Sequence, residues 1–161
     1  MGAGKTSVLG EASDILTMRR IVHAAIDLDA LGLAHLPLAT ASDGVMYRNL
    51  ELFCRNYEAS GVSRILLAHA MENRGQFELC RSVVSATNVV VCRLTASLEA
   101  MNQRISTRES GLLQSKYVAR VAKLNAILNE ARLEDFAVIN ENRSLTEVAQ
   151  EMLTKAGWVS S

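Results

Sequence analysis

Short apolar runs alternate along this chain with longer segments of helical pattern, and this alternation limits the possible folds more than any other feature. The runs are continuous rather than alternating, as in strands that helices cover on both faces. Four segments are predicted to be strands: Val22–Ile26, Arg64–Ala68, Val89–Leu94 and Asp135–Ile139. Because strands separated by helices typically form a parallel sheet, the sequence predicts an α/β fold.

The segments around these strands carry the spacing of apolar residues that is typical of helices. Predicted helices cover Lys5–Leu16, Val45–Ala59, Gly75–Ser85, Ser97 to about Leu133 with a break near Ser110 and Gly111, and Ser144–Lys155. Ser144 and Glu147 have the pattern of a capping box, while Gly61 and Gly157 stand where helices typically end. The stretch from His35 to Gly44 contains the single proline and is predicted to be a loop.

Size, charge and cysteine content restrict the class of protein. The chain has 161 residues, 49% of them apolar, which predicts a single domain over residues 1–161. Because 17 basic residues balance 17 acidic ones, we expect neither nucleic acid nor a membrane surface as a partner. Cys54, Cys80 and Cys92 lack metal-ligand spacing and are predicted to be reduced, mostly buried thiols. Met1 is followed directly by glycine-rich residues and not by the apolar stretch of a signal peptide. Together with the reduced thiols, this start favours a cytoplasmic protein.

The residues Gly2-Ala3-Gly4-Lys5-Thr6-Ser7, which we call the phosphate loop, match the last part of the pattern G-x-x-x-x-G-K-[ST]. Glycines allow backbone N–H groups to turn toward phosphate oxygens, and the helix that follows presents the positive end of its dipole. Lys5 would reach the β- and γ-phosphates, the Thr6 hydroxyl would hold Mg²⁺, and Ser7 could assist. The alternative is a glycine-rich tail that leads into an ordinary helix.

The chain as a whole, from Gly2 to about Trp158, resembles the small P-loop kinases, a group that includes shikimate, gluconate, adenylylsulfate and nucleoside monophosphate kinases. Within this group it looks most like bacterial ATPase-type kinases. Besides the phosphate loop, the resemblance is carried by Asp27-Leu28-Asp29, Arg93-Leu94, Arg104 with Arg108-Glu109 in the lid position, and Asn140–Leu145. It implies a three-layer P-loop NTPase fold, ATP and Mg²⁺ as cofactors, and transfer of the γ-phosphoryl group to a hydroxyl or phosphate acceptor.

One departure from the family concerns the start of the chain. The resemblance implies a sheet of strand order 2-3-1-4-5, whose first and central strand would precede the phosphate loop. Both that strand and the first glycine of the loop pattern would fall before Met1. We therefore expect the natural protein to begin some residues earlier.

Two aspartates and a histidine are placed where strands end. Asp27 and Asp29 are two residues apart at a predicted strand end, so we expect both on the same side, at the carboxyl edge where open α/β sheets bind ligands. Asp27 would orient the acceptor and Asp29 would hold Mg²⁺ through water. The alternative is a pair of solvated acids. His69 stands where a typical NTPase has an aspartate, and a packing role is favoured over contact with substrate.

Two arginines form the other candidate group. Arg104 and Arg108 lie four apart on one helix face, without an acid three or four residues away, so a triphosphate could supply the opposing charge. In the resembling kinases, lid arginines stabilise the transferring phosphoryl group, which implies catalytic roles for both. The alternative is a solvated face or pairing with distant acids. Lys116, Arg120 and Lys123 share a stripe of the next helix and are predicted to face solvent.

Two functions follow from these patterns. The first is a small-molecule kinase that uses ATP. The second is a non-catalytic or degenerate nucleotide-binding module, which the shortened phosphate loop and His69 favour. A role in nucleic-acid processing is disfavoured, since the net charge is zero and only 4% of residues are aromatic.

Overall fold

The computed structural model describes residues 1–34, 42–108, 111 and 114–160. In chain order the elements are α1 (Lys5–Met18), β1 (Ala24–Asp27), α2 (Leu28–Leu31), α3 (Ser42–Ala59), β2 (Ile65–Ala68), α4 (Arg74–Val84), β3 (Cys92–Thr95), α5 (Leu98–Arg108), α6 (Gln114–Ala131), β4 (Phe136–Ile139) and α7 (Leu145–Lys155). Each predicted strand and helix has a counterpart in this order. The predicted loop at 35–44 lies mostly outside the described residues, as does Glu109.

The strands form two separate parallel pairs. β1 pairs with β2, from Ala24 opposite Ile65 onward, and β3 pairs with β4, from Cys92 opposite Phe136 onward. No strand among the described residues joins the two pairs. The predicted parallel arrangement is confirmed, whereas the four strands do not form one continuous sheet.

Contacts at the start of α1 show that both pairs run in the same direction. Thr6, in the first turn of α1, contacts Asp27, the last residue of β1. Asn140, the residue after β4, contacts Ala3 just before α1. The carboxyl ends of β1 and β4 therefore meet at the N-terminus of α1, and ligands of open α/β folds bind at such an edge.

A cleft of about 870 Å³, which we call the central cleft, separates the two strand pairs. It is lined by all of β2, by residues 89–94 and by apolar side chains of α7 that include Met152 and Leu153. Met1 and Lys5 also line it, so the cleft reaches the carboxyl edge. The inner edges of β2 and β3 therefore border the same space.

The third strand begins later than predicted. The β-branched run at Val89–Val91 predicted a strand from Val89, but β3 starts at Cys92. Val89 and Val90 are 38% and 41% exposed. The Val91 N–H donates to an Asp135 side-chain oxygen at 2.7 Å, and the Asp135 N–H donates to the Val91 carbonyl at 2.9 Å. Propensity favours extended backbone, but a ladder begins only where the neighbouring strand supplies partners.

The largest buried cluster holds α1 against α7 and β4. Val8, Ala12, Ile15 and Leu16 form the buried stripe of α1, as the helical spacing predicts. They pack against Val138 and the inner face of α7. Burial of a side chain such as Leu16, which has no exposed surface, stabilises the fold by about 1.5–3 kcal/mol. A second cluster joins β1, α2, α3 and α4, and a third joins α5 with α6. The packing fixes α1, and hence the phosphate loop, on β4 and α7.

Helix ends follow the local sequence signals. Ser144 and Glu147 form the predicted capping box at the start of α7. Gly157 and Gly61 follow α7 and α3 with φ of +72° and +82°, a backbone conformation in which glycine is favoured. In the part of the chain that the structure describes, no helix has both the length and the apolar character needed to span a membrane.

Candidate functional site

The phosphate loop leaves the first turn of α1 open to an anion. Gly2 and Gly4 have φ of +72° and +87°, values that residues with a Cβ rarely adopt. Gly4 is the N-cap of α1, and no side chain caps the helix there. The first turn also contains no acidic residue. Backbone N–H groups at the N-terminus of a helix commonly bind anions, because they lie at the positive end of the helix dipole. At the start of α1 no side chain occupies these groups as a cap.

Thr6 and Asp27 are joined directly across this site. The Thr6 hydroxyl donates to Asp27 Oδ2 at 2.6 Å. The other carboxylate oxygen, Oδ1, accepts the Asp29 N–H at 3.1 Å and so caps α2. Lys5 begins α1 beside this pair, and Ser7 is exposed in the same turn. The structure thus brings the predicted hydroxyl and one of the predicted carboxylates together.

Asp29 pairs with His69 rather than with Thr6. His69 Nδ1 donates to Asp29 Oδ1 at 2.7 Å; the side chain of His69 is 15% exposed and that of Asp29 is 62% exposed. The hydrogen bond from His69 lowers the pKa of the Asp29 carboxyl below its ordinary value. From the sequence, both aspartates are expected to belong to the end of a strand. That expectation is wrong, because β1 ends at Asp27 and Asp29 lies in α2.

The two predicted lid arginines are placed differently. Arg104 Nη1 donates to the Gly2 carbonyl at 3.2 Å, and Nη2 donates to the Asn140 carbonyl at 2.7 Å. Its guanidinium therefore binds the backbone of the phosphate loop. Arg108 is exposed at the end of α5 and borders a surface pocket together with Arg104.

Positive charge collects where the chain begins. Burial lowers the pKa of the Met1 amino group to about 6, the charges of Lys5, Arg108 and Arg120 act in the same direction, and that of Asp29 opposes them. Arg120 also pairs with Glu72 at 2.5 Å and is 41% exposed. Lys116 and Lys123 are exposed as predicted, and Arg120 is partly exposed and also carries this ion pair. Lys5, Arg108 and Arg120 therefore place positive charge around the start of the phosphate loop.

Arg93 does not take part in this group. It lies within β3, and its guanidinium binds Asn125, Asn129 and Glu134. That part of the family pattern has a structural role at α6 and the residues that follow it.

His69 and Asn140 are the residues whose importance sequence reasoning underestimated. Residue type alone favours packing for His69, and Asn140 carries no motif of its own. Each directly follows a parallel strand, β2 and β4 respectively. The carboxyl-edge rule that selected Asp27 also selects them.

Comparison with known proteins identifies the fold. No protein-family model matches the chain, and no curated protein matches its sequence. Solved structures match it over nearly its whole length. The APS kinase of Mycobacterium tuberculosis, in complex with AMPPNP and APS, has a TM-score of 0.63 at 19% identity, covering 97% of this chain and 92% of that chain. An unliganded sugar kinase from Janibacter has a TM-score of 0.68 at 18% identity, covering 99% and 91%. Shikimate kinase from Acinetobacter baumannii, in complex with shikimate, has a TM-score of 0.59 at 16% identity, covering 97% and 88%.

These neighbours define the class of fold. All three are kinases, and all three cover almost the full chain. The protein therefore has a P-loop kinase-like α/β fold, as the resemblance in its sequence predicts.

Proposed function

We propose that this chain, as a single domain, binds ATP at the phosphate loop and transfers its γ-phosphoryl group to a small hydroxyl or phosphate acceptor. The observation that carries the proposal is the 2.6 Å hydrogen bond from Thr6 to Asp27 at the uncapped start of α1. It joins an anion-binding helix terminus to a carboxylate at the ligand-binding edge. The similar APS kinase was solved with AMPPNP, and the similar shikimate kinase with shikimate, which supports a nucleotide and a small acceptor here.

The residues fit a magnesium ion that is bound together with a nucleotide. Among the described residues, no three His, Cys, Asp or Glu side chains converge on one metal position. Mg²⁺ does not need such a cage, because it usually takes one or two protein oxygens together with waters and substrate phosphates. The Thr6 hydroxyl would supply one of those oxygens, and Asp29 would hold the ion through water. The ion would neutralise phosphate charge.

Positioning and charge would account for catalysis. Lys5 would bind the terminal phosphates, and Arg108 would stabilise charge on the transferring group. Arg104 binds the carbonyls of Gly2 and Asn140, so it would act on the backbone of the phosphate loop instead. Asp27 would orient the acceptor hydroxyl. The Asp29–His69 pair lies at the same edge and would border the acceptor.

Calorimetric titration with ATP in the presence of Mg²⁺ tests the nucleotide site. Lys5→Ala should weaken ATP binding by about tenfold to a hundredfold, since it removes a charge-assisted hydrogen bond. Lys123→Ala is the matched control, because Lys123 is an exposed lysine of α6 outside the site. Equal affinity in the unchanged protein and Lys5→Ala would contradict the proposal. A screen of small hydroxyl and phosphate compounds for ATP-dependent phosphorylation tests the transfer.

A nucleotide-binding module without turnover is the second candidate. It is favoured by His69, which pairs with Asp29 at the end of β2 where a metal-binding aspartate would be expected. Tight ATP binding without phosphorylation of any screened acceptor would select this candidate over the kinase.

We also propose that a fifth strand, formed by residues that lead into Met1, fills the central cleft. β2 and β3 each have one paired edge, and the other edges border the same cleft. A strand that ran toward the phosphate loop would be parallel to both, because both pairs end there. Pairing would satisfy backbone groups that are otherwise left at the two edges.

An N-terminal extension tests this arrangement. Adding a glycine preceded by about six β-branched residues should raise both the free energy of unfolding and its denaturant dependence, since more surface becomes buried. The control extension carries proline at alternate positions, which cannot pair on both edges. Equal effects of the two extensions would contradict the proposed strand.

Finally, we propose a cytoplasmic location. Cys54, Cys80 and Cys92 are free thiols. Burial raises the pKa of Cys80 to about 11 and that of Cys92 to about 12, so both are poor nucleophiles with a structural role. Alkylation of all three thiols in the denatured protein without added reductant is the expected result.

A further inference from the structure

The carbonyl groups of the phosphate loop are held from one side. The Asn140 side-chain amide donates to the Ala3 carbonyl at 2.8 Å, and Arg104 donates to the Gly2 carbonyl at 3.2 Å. A trans peptide unit points its carbonyl and the following N–H in opposite directions. The N–H groups of Ala3 and Gly4 therefore point away from Asn140 and Arg104.

Asn140 is itself held by hydrogen bonds of its backbone as well as of its side chain. It is 4% exposed and is the one buried polar residue among those that the structure describes. Its N–H donates to the Thr95 carbonyl at 2.8 Å, which ties it to the end of β3, and its carbonyl accepts Arg104 at 2.7 Å. A Cβ on Gly4 would lie only 2.3 Å from the Asn140 amide nitrogen. The loop and the amide are thus in close contact.

We propose that Asn140, together with Arg104, is a positioning residue of the phosphate loop. The two side chains turn the carbonyls of Gly2 and Ala3 toward β3 and β4, and so direct the N–H groups of Ala3 and Gly4 at a bound phosphate. This inference rests on the proposed nucleotide site and adds to it the residues that set the loop backbone. Both residues act through the loop rather than by touching the nucleotide.

Two variants separate positioning from charge and from folding. Asn140→Leu keeps approximate size but removes the amide donor. Arg104→Lys keeps the positive charge but removes the planar fork that serves two carbonyls at once. Asn49→Leu is the matched control, because the Asn49 amide donates to the Leu31 carbonyl at the same 2.8 Å, away from the loop. Circular dichroism and thermal unfolding establish that each variant is folded.

The readout is the ratio of the affinities for ATP and AMP, measured by titration with Mg²⁺. Loop amides and Lys5 contact the terminal phosphates in P-loop proteins, so misplaced amides should weaken ATP more than AMP. We expect the ratio to fall by about tenfold in Asn140→Leu and in Arg104→Lys, and to stay constant in Asn49→Leu. A merely structural role would lower thermal stability without changing the ratio.

The possible failures are distinguishable. If the unchanged protein binds ATP and the ratio is constant in the folded variants, the positioning inference is overturned while the proposed function stands. If Asn140→Leu does not fold, the ratio of the ATP and AMP affinities in Arg104→Lys tests the inference alone. If the unchanged protein binds no ATP, the proposed function fails and the inference fails with it.

Discussion

Replacing Gly4 with alanine measures how closely the phosphate loop approaches Asn140. Gly4 has φ of +87°, and a residue with a Cβ in the left-handed region costs about 1–2 kcal/mol. The added Cβ would lie 2.3 Å from the Asn140 amide nitrogen, so the amide would have to move. Because that amide is buried and binds the Ala3 carbonyl, its displacement should cost about 1–3 kcal/mol more. We expect the free energy of unfolding to fall by about 2–5 kcal/mol in total.

Gly61→Ala is the matched control for this change. Gly61 has φ of +82°, and no atom lies within 4 Å of the added Cβ, so only the backbone cost of about 1–2 kcal/mol applies. Urea denaturation of both variants and of the unchanged protein gives the two losses, and their difference isolates the contact with Asn140. Equal losses would refute the reasoning, because they would mean that the loop has room to move.

Three further predictions concern a charge pair, a helix cap and a helix interior. The hydrogen bond from His69 holds the pKa of Asp29 below its ordinary value of 3.8, so its stabilisation is complete above that pH and is lost as pH falls through the lower pKa of the folded state. Asp29→Asn should remove this part of the acid dependence, and denaturation midpoints at descending pH that match the unchanged protein would contradict it. Ser144→Ala removes the hydroxyl that accepts the Glu147 N–H and should lower the free energy of unfolding by about 1 kcal/mol, measured by thermal unfolding. Gly10→Ala adds a Cβ with no neighbour within 4 Å inside α1 and should raise the free energy of unfolding by about 0.5–1 kcal/mol; a decrease would show hidden crowding.

Local patterns in the sequence were sufficient to find most elements of the fold. The buried stripe of α1, the capping box at Ser144 and the glycines after α3 and α7 depend on residues within a few positions of one another. Spacing and cap chemistry operate over that same range, so they can be read without the tertiary structure. The start of β3 could not be read in this way, because it depends on pairing with β4, whose neighbouring residue Asp135 is 44 positions from Val91.

The site was predicted only in part, because its arrangement depends on distant contacts. Motif and edge rules selected Thr6 and Asp27, which lie in contact. No rule of spacing could pair Ala3 with Asn140, which are 137 residues apart, or Gly2 with Arg104, which are 102 apart. Arg104 was selected for its charge and the absence of nearby acids, but carbonyl groups also accept from guanidinium. The sequence alone therefore could not distinguish the carbonyl groups of Gly2 and Asn140 from a triphosphate as the partner of Arg104.

The phosphate loop connects the two strand pairs across the central cleft. On one side Thr6 contacts Asp27 at the end of β1, and on the other side Ala3 contacts Asn140 after β4. The lengths of hydrogen bonds vary over only a narrow range. The loop can therefore hold its shape only if the ends of the two strand pairs keep their separation. A change in the width of the cleft would therefore move Thr6 relative to Ala3, which alters the spacing of the donors that face a phosphate. We therefore expect occupancy of the cleft to change the affinity for an anion at the proposed nucleotide site.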